Sequence, residues 1–270
     1  MLRSVFIGSR NRFDEALVHW LAQRTELTGV VWTASWRQSR AGRVAFVRAR
    51  LRRRGLLRTL DEALFHLYFH RRVMAAEQER LEAAVLGPYR ALHGDLRWTG
   101  DALRTDDVNA PEVVAFLQAR RPDVAFAVCV NHYFGERVRS IPRFGTFLWH
   151  EGVTPEYKGL YSPFWAVHEL DLERVGYTLL RMSGEIDAGD VFVQGRARDV
   201  DPRRDHHVFL GHKAIWDSLP EVERFLADLE AGRARPIERP GATARSFTYP
   251  GLSDFMRQRR RLRSLASRAP

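Results

Sequence analysis

Short apolar runs alternate along this chain with stretches whose apolar residues recur every three or four positions, a pattern of strands alternating with helices. Ser4-Val5-Phe6-Ile7 is the first run and ends at Gly8-Ser9-Arg10. Phe13, Ala16, Leu17, Trp20 and Leu21 then recur at i, i+3, i+4, i+7 and i+8, the stripe of an amphipathic helix. Leu27 to Thr33 reads as a second buried strand. This order predicts an α/β fold built on a Rossmann-like, mostly parallel sheet flanked by helices. Backbone amides at the first strand-to-helix turn favour an anion there, although no full glycine fingerprint accompanies Gly8 and Ser9.

From about 36 to 90 the pattern changes: β-branched runs nearly vanish, arginines abound, and two or three inserted helices are expected. Leu60, Leu64, Leu67 and Tyr68 share one face, which predicts a packed stripe with the rest solvated; partner or phosphate binding is the alternative. The α/β pattern resumes at Asp107-Val108-Asn109, with Asn109 a candidate helix cap and Pro111 suited to the first turn. Val124 to Val130 is a continuous apolar strand, and Gly145 to Trp149 another, ending at His150. An amphipathic helix is expected around Val208 to Leu229, then an extended piece near Phe247-Thr248-Tyr249 and a basic tail, helical or frayed. We therefore expect an α/β domain over 1–200 and a C-terminal helical extension over 201–270.

Composition narrows the class. The chain has 270 residues, 45% of them hydrophobic, enough to bury a core and to exclude wholesale disorder. The single cysteine, Cys129, excludes an intrachain disulfide and a cysteine-based zinc site. No stretch reaches the roughly 18 apolar residues of a membrane span, and no apolar signal core opens the chain, so a cytoplasmic protein with no membrane partner is expected. The net charge is +10, and only Lys158 and Lys213 among the 43 basic residues are lysines. The charge supports nucleic-acid binding only weakly, and without a recognised nucleic-acid module specific binding is not expected. His206, His207 and His212 lack a convergent carboxylate or cysteine set, so no metal is expected.

Polar residues are densest between Asn131 and Asp190, where strand ends would converge on a crevice. There, Gly145 … His150-Glu151-Gly152-Val153-Thr154-Pro155-Glu156-Tyr157-Lys158-Gly159 … Trp165-Ala166 … Gly176-Tyr177-Thr178 … Ile186-Asp187-Ala188-Gly189 resembles the folate-dependent formyltransferase superfamily. The resemblance covers residues 1–33 and about 107–200. It implies formyl-tetrahydrofolate as donor and an amine on a small molecule, a sugar or biosynthetic intermediate, as acceptor. It places His150 and Asp187 at two catalytic positions, and His132, Tyr133, Phe134, Gly184, Glu185 and Ile186 against the donor. Gly8, Ser9, Arg10, Thr154, Tyr157, Gly159 and Tyr161 would face the substrate. Two positions depart from the pattern: Leu148 stands where the family has a catalytic asparagine, and Leu180 where it has a second histidine.

The chemistry explains why these departures matter. Formyl transfer to an amine passes through a tetrahedral oxyanion while the amine sheds a proton. Losing one pre-aimed donor to such an oxyanion typically costs about 10²–10³ in rate. An imidazole beside a carboxylate can take up the proton, but leucine supplies neither donor nor acceptor. Asn131, at the end of the preceding strand, is the candidate replacement donor. The alternative is a catalytically impaired or repurposed relative, binding a ligand or using another acyl donor. Each residue also has a plainer role: His150 held by backbone contacts, Asp187 ordering a turn. The insertion or the tail could mediate a homodimer.

Overall fold

The computed structural model describes residues 1–34, 40–128, 130 and 132–266. Asn131 and Cys129 lie outside the described residues, as does the end of the basic tail.

The strands are β1 (Arg3–Ser9), β2 (Glu26–Thr33), β3 (Ala102–Thr105), β4 (Val124–Val128), β5 (Thr146–His150), β6 (Lys158–Gly159), β7 (Gly176–Arg181), β8 (Val191–Arg196) and β9 (Ser246–Phe247). Seven of them form one sheet in the order β3-β2-β1-β4-β5-β7-β8, while β6 and β9 pair separately. From β3 to β5 all neighbours are parallel; β7 and then β8 are added antiparallel. The sheet is thus mostly parallel, as the sequence predicts. After β1 the chain builds outward through β2 and β3, then crosses back to place β4 on the other side of β1. Open α/β sheets bind ligands at such a reversal, beyond the carboxyl ends of the strands.

The helices are α1 (Arg12–Ala22), α2 (Arg40–Arg72), α3 (Met74–Leu81), α4 (Gly87–His93), α5 (Pro111–Arg120), α6 (Glu136–Arg139), α7 (Ser162–His168), α8 (His207–Asp217), α9 (Leu219–Glu230) and α10 (Leu252–Ala266). They cover both faces of the sheet, which is why β4 is buried at every residue. Strand alternation sorts the core: Val5 and Ile7 pack with Val113 and Leu117 of α5 on one face. Phe6 packs with Leu17 of α1 and Ile215 of α8 on the other. The helix expected over 208–229 is two, broken at Ser218 ahead of Pro220. Ser218 is held there by the Trp149 indole, which donates to its hydroxyl at 2.8 Å. Both α8 and α9 pack into the same core as the sheet.

The inserted region is helical, but its packed stripe is not the expected one. Leu60, Leu64, Leu67 and Tyr68 are exposed, while Phe65 and Phe69 are buried against Phe164 of α7 and Phe255 of α10. Ion pairs set this rotation: Arg58 lies 2.7 Å from Asp254, and Arg50 pairs with the buried Glu62. Asp61 accepts from the Ser253 amide at 2.9 Å. Asn109 likewise does not cap its helix. Ala110 is the capping residue of α5, and the Asn109 amide turns to the loop after β4 instead.

Candidate active site

His150 is the last residue of β5 and pairs across to Thr178 of β7. It faces the same side of the sheet as Leu148, two residues earlier, as the period of a strand requires. The loop after it returns at once to the imidazole. His150 Nε2 lies 3.0 Å from the Tyr157 carbonyl oxygen and 3.2 Å from Ser162 Oγ, and that hydroxyl donates to the same carbonyl at 3.0 Å. A carbonyl only accepts, so Nε2 carries the hydrogen in the neutral ring and Nδ1 keeps its lone pair. Nδ1 is 4.0 Å from Asp187 Oδ2, with both side chains largely buried. The structure therefore brings the two residues expected to act together into one site.

Asp187 is positioned by its backbone and by one amide. Its φ of 45° is left-handed, a conformation aspartate tolerates better than most residues. Its carboxylate accepts from the Gly159 amide at 2.6 Å. Gly159 has a φ of 91°, and a side chain there would meet the Phe247 carbonyl oxygen 2.3 Å away. Gly152 is required by crowding: an added Cβ would sit 2.5 Å from Ser162 Cβ and 2.8 Å from both His150 Nε2 and the Tyr157 oxygen. Beneath the loop, Thr178 Oγ1 donates to the Gly152 carbonyl at 2.7 Å and accepts from the Thr154 amide and from Gln194 Nε2.

Leu148 and Leu180 stand directly opposite each other across β5 and β7, and both are buried with Ala127 and Val191. Two departures far apart in sequence are one contact in space. An apolar cross-strand pair occupies the floor beside His150 where polar groups were expected.

Several side chains expected to face substrate instead build the frame. The Tyr157 ring is 1% exposed and stacks on Phe247, its hydroxyl donating to Asp171 at 3.0 Å. Burial and that carboxylate push its phenol well above the usual value. Only its carbonyl serves the site. Thr154 is buried, and its carbonyl accepts from Gln194. Tyr161 packs its ring toward Phe65, His207 and Tyr249. At the first turn, Ser9 donates its amide to Asp14, and Asn11 accepts from the amides of Phe13 and Asp14. The amides expected to attract an anion are thus taken by the chain's own side chains; Gly8 is buried and Arg10 reaches toward Glu15 at 3.8 Å.

The expected donor segment is partly a platform and partly core. Phe134 is buried in the core, so only its backbone remains for a ligand. Burial holds His132 below its usual range, opposed by the Asp107 and Asp106 carboxylates and by the backbone of Ala34. Tyr133 is exposed, and its hydroxyl donates to the Gly184 carbonyl at 3.2 Å, tying this loop to the Ser183–Asp190 turn. The exposed Ile186 lies on that turn, and Ser183 closes it by accepting from the Glu185 amide. Asn109 braces the first loop, donating to the Tyr133 carbonyl at 2.8 Å and accepting from the Gly135 amide at 2.6 Å.

Sequence reading missed Asn109, Ser162 and Gln194. Ser162 is the first residue of α7 and precedes a proline, and nothing local marks it as a partner of His150. Among the described residues no three histidine, cysteine, aspartate or glutamate side chains gather as metal ligands. His206 packs against Phe69 and Phe255, and His212 lies against Phe13.

No family model matches the chain. By sequence it is 36% identical over 100 residues to a methionyl-tRNA formyltransferase of Thermotoga maritima, covering 37% of this chain and 31% of that protein. The chain thus spans about a third of the length of that curated relative. By structure it matches a sugar N-formyltransferase of Shewanella sp. with a TM-score of 0.54 at 12% identity, covering 94% of this chain and 78% of the other. A glycinamide ribonucleotide transformylase of Symbiobacterium toebii matches with a TM-score of 0.53 at 13% identity, covering 88% and 95%. These matches show that the chain has the α/β fold of formyltransferases and that about a third of it is similar in sequence to methionyl-tRNA formyltransferase.

Proposed function

We propose that the chain transfers a formyl group from formyl-tetrahydrofolate to an amine of a small-molecule acceptor, a sugar or biosynthetic intermediate. The observation that carries this reading is the 4.0 Å approach of His150 Nδ1 to Asp187 Oδ2 at the carboxyl edge of the sheet. The donor, when bound, supplies the formyl carbon. The residues present suit it: two loops tied by the Tyr133 hydroxyl expose aromatic and aliphatic surface beside backbone polar groups, chemistry that matches a flat heterocycle.

The chain's own groups handle the proton. The Tyr157 carbonyl and Ser162 keep a hydrogen on His150 Nε2, which leaves Nδ1 as the basic atom facing Asp187. A proton taken from the acceptor amine onto Nδ1 creates an imidazolium beside a carboxylate, an arrangement favoured by Coulomb attraction in a partly desolvated site. The Gly159 amide holds Asp187 in place without neutralising it. Asn131 remains our candidate for the oxyanion donor that leucine cannot supply.

A small acceptor is preferred over an aminoacylated tRNA. The solved structure matched over 94% of this chain is a sugar N-formyltransferase, which supports an amino sugar as the acceptor class. The test is calorimetry with a reduced-folate analogue, followed by tetrahydrofolate release from the formyl donor against a panel of amino sugars and amino ribonucleotides. Micromolar binding and acceptor-dependent release are expected, and absence of heat at saturating ligand refutes the reading.

The Leu148–Leu180 pair favours a second reading, a relative that binds ligand but transfers poorly, because this floor offers no donor. Binding without release across the panel selects it.

A further inference from the structure

We propose that α2 is a docking surface for an anionic phospholipid bilayer. The outer face of its second half carries Leu56, Leu57, Leu60, Leu64 and Leu67, all between 49% and 84% exposed. Its inner face is also apolar, with Phe65 and Phe69 buried against α7 and α10. A helix apolar on both sides is one whose outer side is meant to be covered. Leu57, Leu60, Leu64 and Leu67 follow a three-four spacing, so they form one straight row.

Charge says what covers it. The only acids of α2, Asp61 and Glu62, turn inward, to Ser253 and to Arg50 and Arg58. Arg48, Arg52, Arg53, Arg54, Arg71 and Arg72 are exposed and have no ion-pair partner among the described residues. The leucine row therefore ends in arginines on both sides, Arg53 and Arg54 before the kink at Gly55 and Arg71 in line after Leu67. A second copy would fit the leucines but not the charges. Antiparallel pairing sets Arg53 and Arg54 near Arg71, parallel pairing sets each against itself, and neither offers an acid. RNA would meet the arginines but leave the leucines against phosphate and water. A bilayer surface rich in acidic headgroups satisfies both sets, apolar side chains entering the acyl boundary and guanidinium groups meeting phosphates.

This departs from the expectation of no membrane partner, which rests on the lack of a spanning segment. Among the described residues no helix is long and apolar enough to cross a bilayer, and surface docking needs none. The inner side of α2 touches Tyr161 through Phe65, so docking would set the loop beside His150 close to the lipid surface.

The experiment is flotation of the full chain with phosphatidylcholine vesicles, with and without 30% phosphatidylglycerol. We expect binding to the anionic vesicles only, weakening steeply with salt. Leu60→Asp/Leu64→Asp should lower partitioning by about 100-fold, since each buried leucine is worth about tenfold, with an unchanged melting temperature because both residues are exposed. Arg53→Gln/Arg54→Gln should weaken binding about 30-fold at low salt, at about 1 kcal/mol for each arginine. The proposal is overturned if the protein ignores anionic vesicles or if the leucine variant floats like wild type. It is overturned equally if sedimentation shows a dimer that the leucine variant dissolves, or if that variant loses affinity for bulk tRNA rather than for lipid.

Discussion

Replacing Leu148 by asparagine tests the Leu148–Leu180 pair as a packed apolar contact and, in the same protein, the chemistry of the site. Leu148 is 8% exposed and lies in register with Leu180 on one side and Ala127 on the other. Removing a leucine from such a place forfeits about 2 kcal/mol of burial. The new amide finds no polar side chain among Leu180, Ala127 and Val191, which adds about 1 kcal/mol or more. A loss of about 3 kcal/mol corresponds to a fall of about 6–12 °C in Tm for a chain of this size. Scanning calorimetry and urea melts at pH 7.5 measure it. Adding Leu180→His should recover at least about 1 kcal/mol, because the two positions face each other and a polar pair can satisfy itself. A Leu148→Asn protein melting within 2 °C of wild type would refute the reasoning. Its turnover carries a second result: a strong gain in formyl transfer marks a site that has lost its amide, whereas unchanged and robust native activity marks chemistry that dispenses with it.

Further expectations follow from the same geometry. Asp187→Asn keeps an acceptor for the Gly159 amide but removes the charge 4.0 Å from His150. Opposite charges at that distance interact by about 4 kcal/mol at an effective dielectric near 20, so kcat/KM should fall about 10²–10³-fold with folding intact, and a loss below fivefold would contradict the role. Gly152→Ala drives a methyl into Ser162 and the imidazole; we expect at least about 2 kcal/mol lost in denaturant melts, together with loss of turnover. Burial pushes the His207 imidazole down to about 3 and that of His206 down to about 4. Both stay neutral when folded but charge when unfolded, so stability is full above about pH 6.5. It falls as pH drops toward 4, by up to about 1.4 kcal/mol per unit for each group. His207→Phe, in a pocket already lined by Phe65, Phe69 and Phe164, should flatten this acid slope in thermal melts between pH 7 and 4.5, and an unchanged slope would disprove the assignment.

Periodicity was enough to read β1, α1, β2 and β4, because each is short and apolar or amphipathic on its own account, and local pattern is then the dominant force. The shared edge of the strands too was legible, since parallel strands put their carboxyl ends on one side whatever their neighbours are. Where the reading failed, the deciding partner was distant in sequence. The rotation of α2 depends on Asp254 and Phe255, almost two hundred residues away, so its leucine stripe looked like core while Phe65 and Phe69 took that place. Asn109 resembled a cap, yet the loop at 133–135 claimed its amide.

The candidate site divides in the same way. Sequence alone singled out His150 and Asp187 as residue types suited to moving a proton, and tertiary structure put them 4.0 Å apart. It did not determine which imidazole nitrogen is basic: that rests on Ser162 and on a backbone carbonyl, and a carbonyl has no letter of its own in a sequence. Nor could it tell that Leu148 and Leu180 are one contact, because register across two antiparallel strands is set by packing over the whole sheet. Tyr157 and Thr154 looked available for substrate until the fold buried them. Chemistry-bearing residue types are a property of the chain, whereas distance, tautomer and exposure are properties of its packing, and these three decide what the site can do.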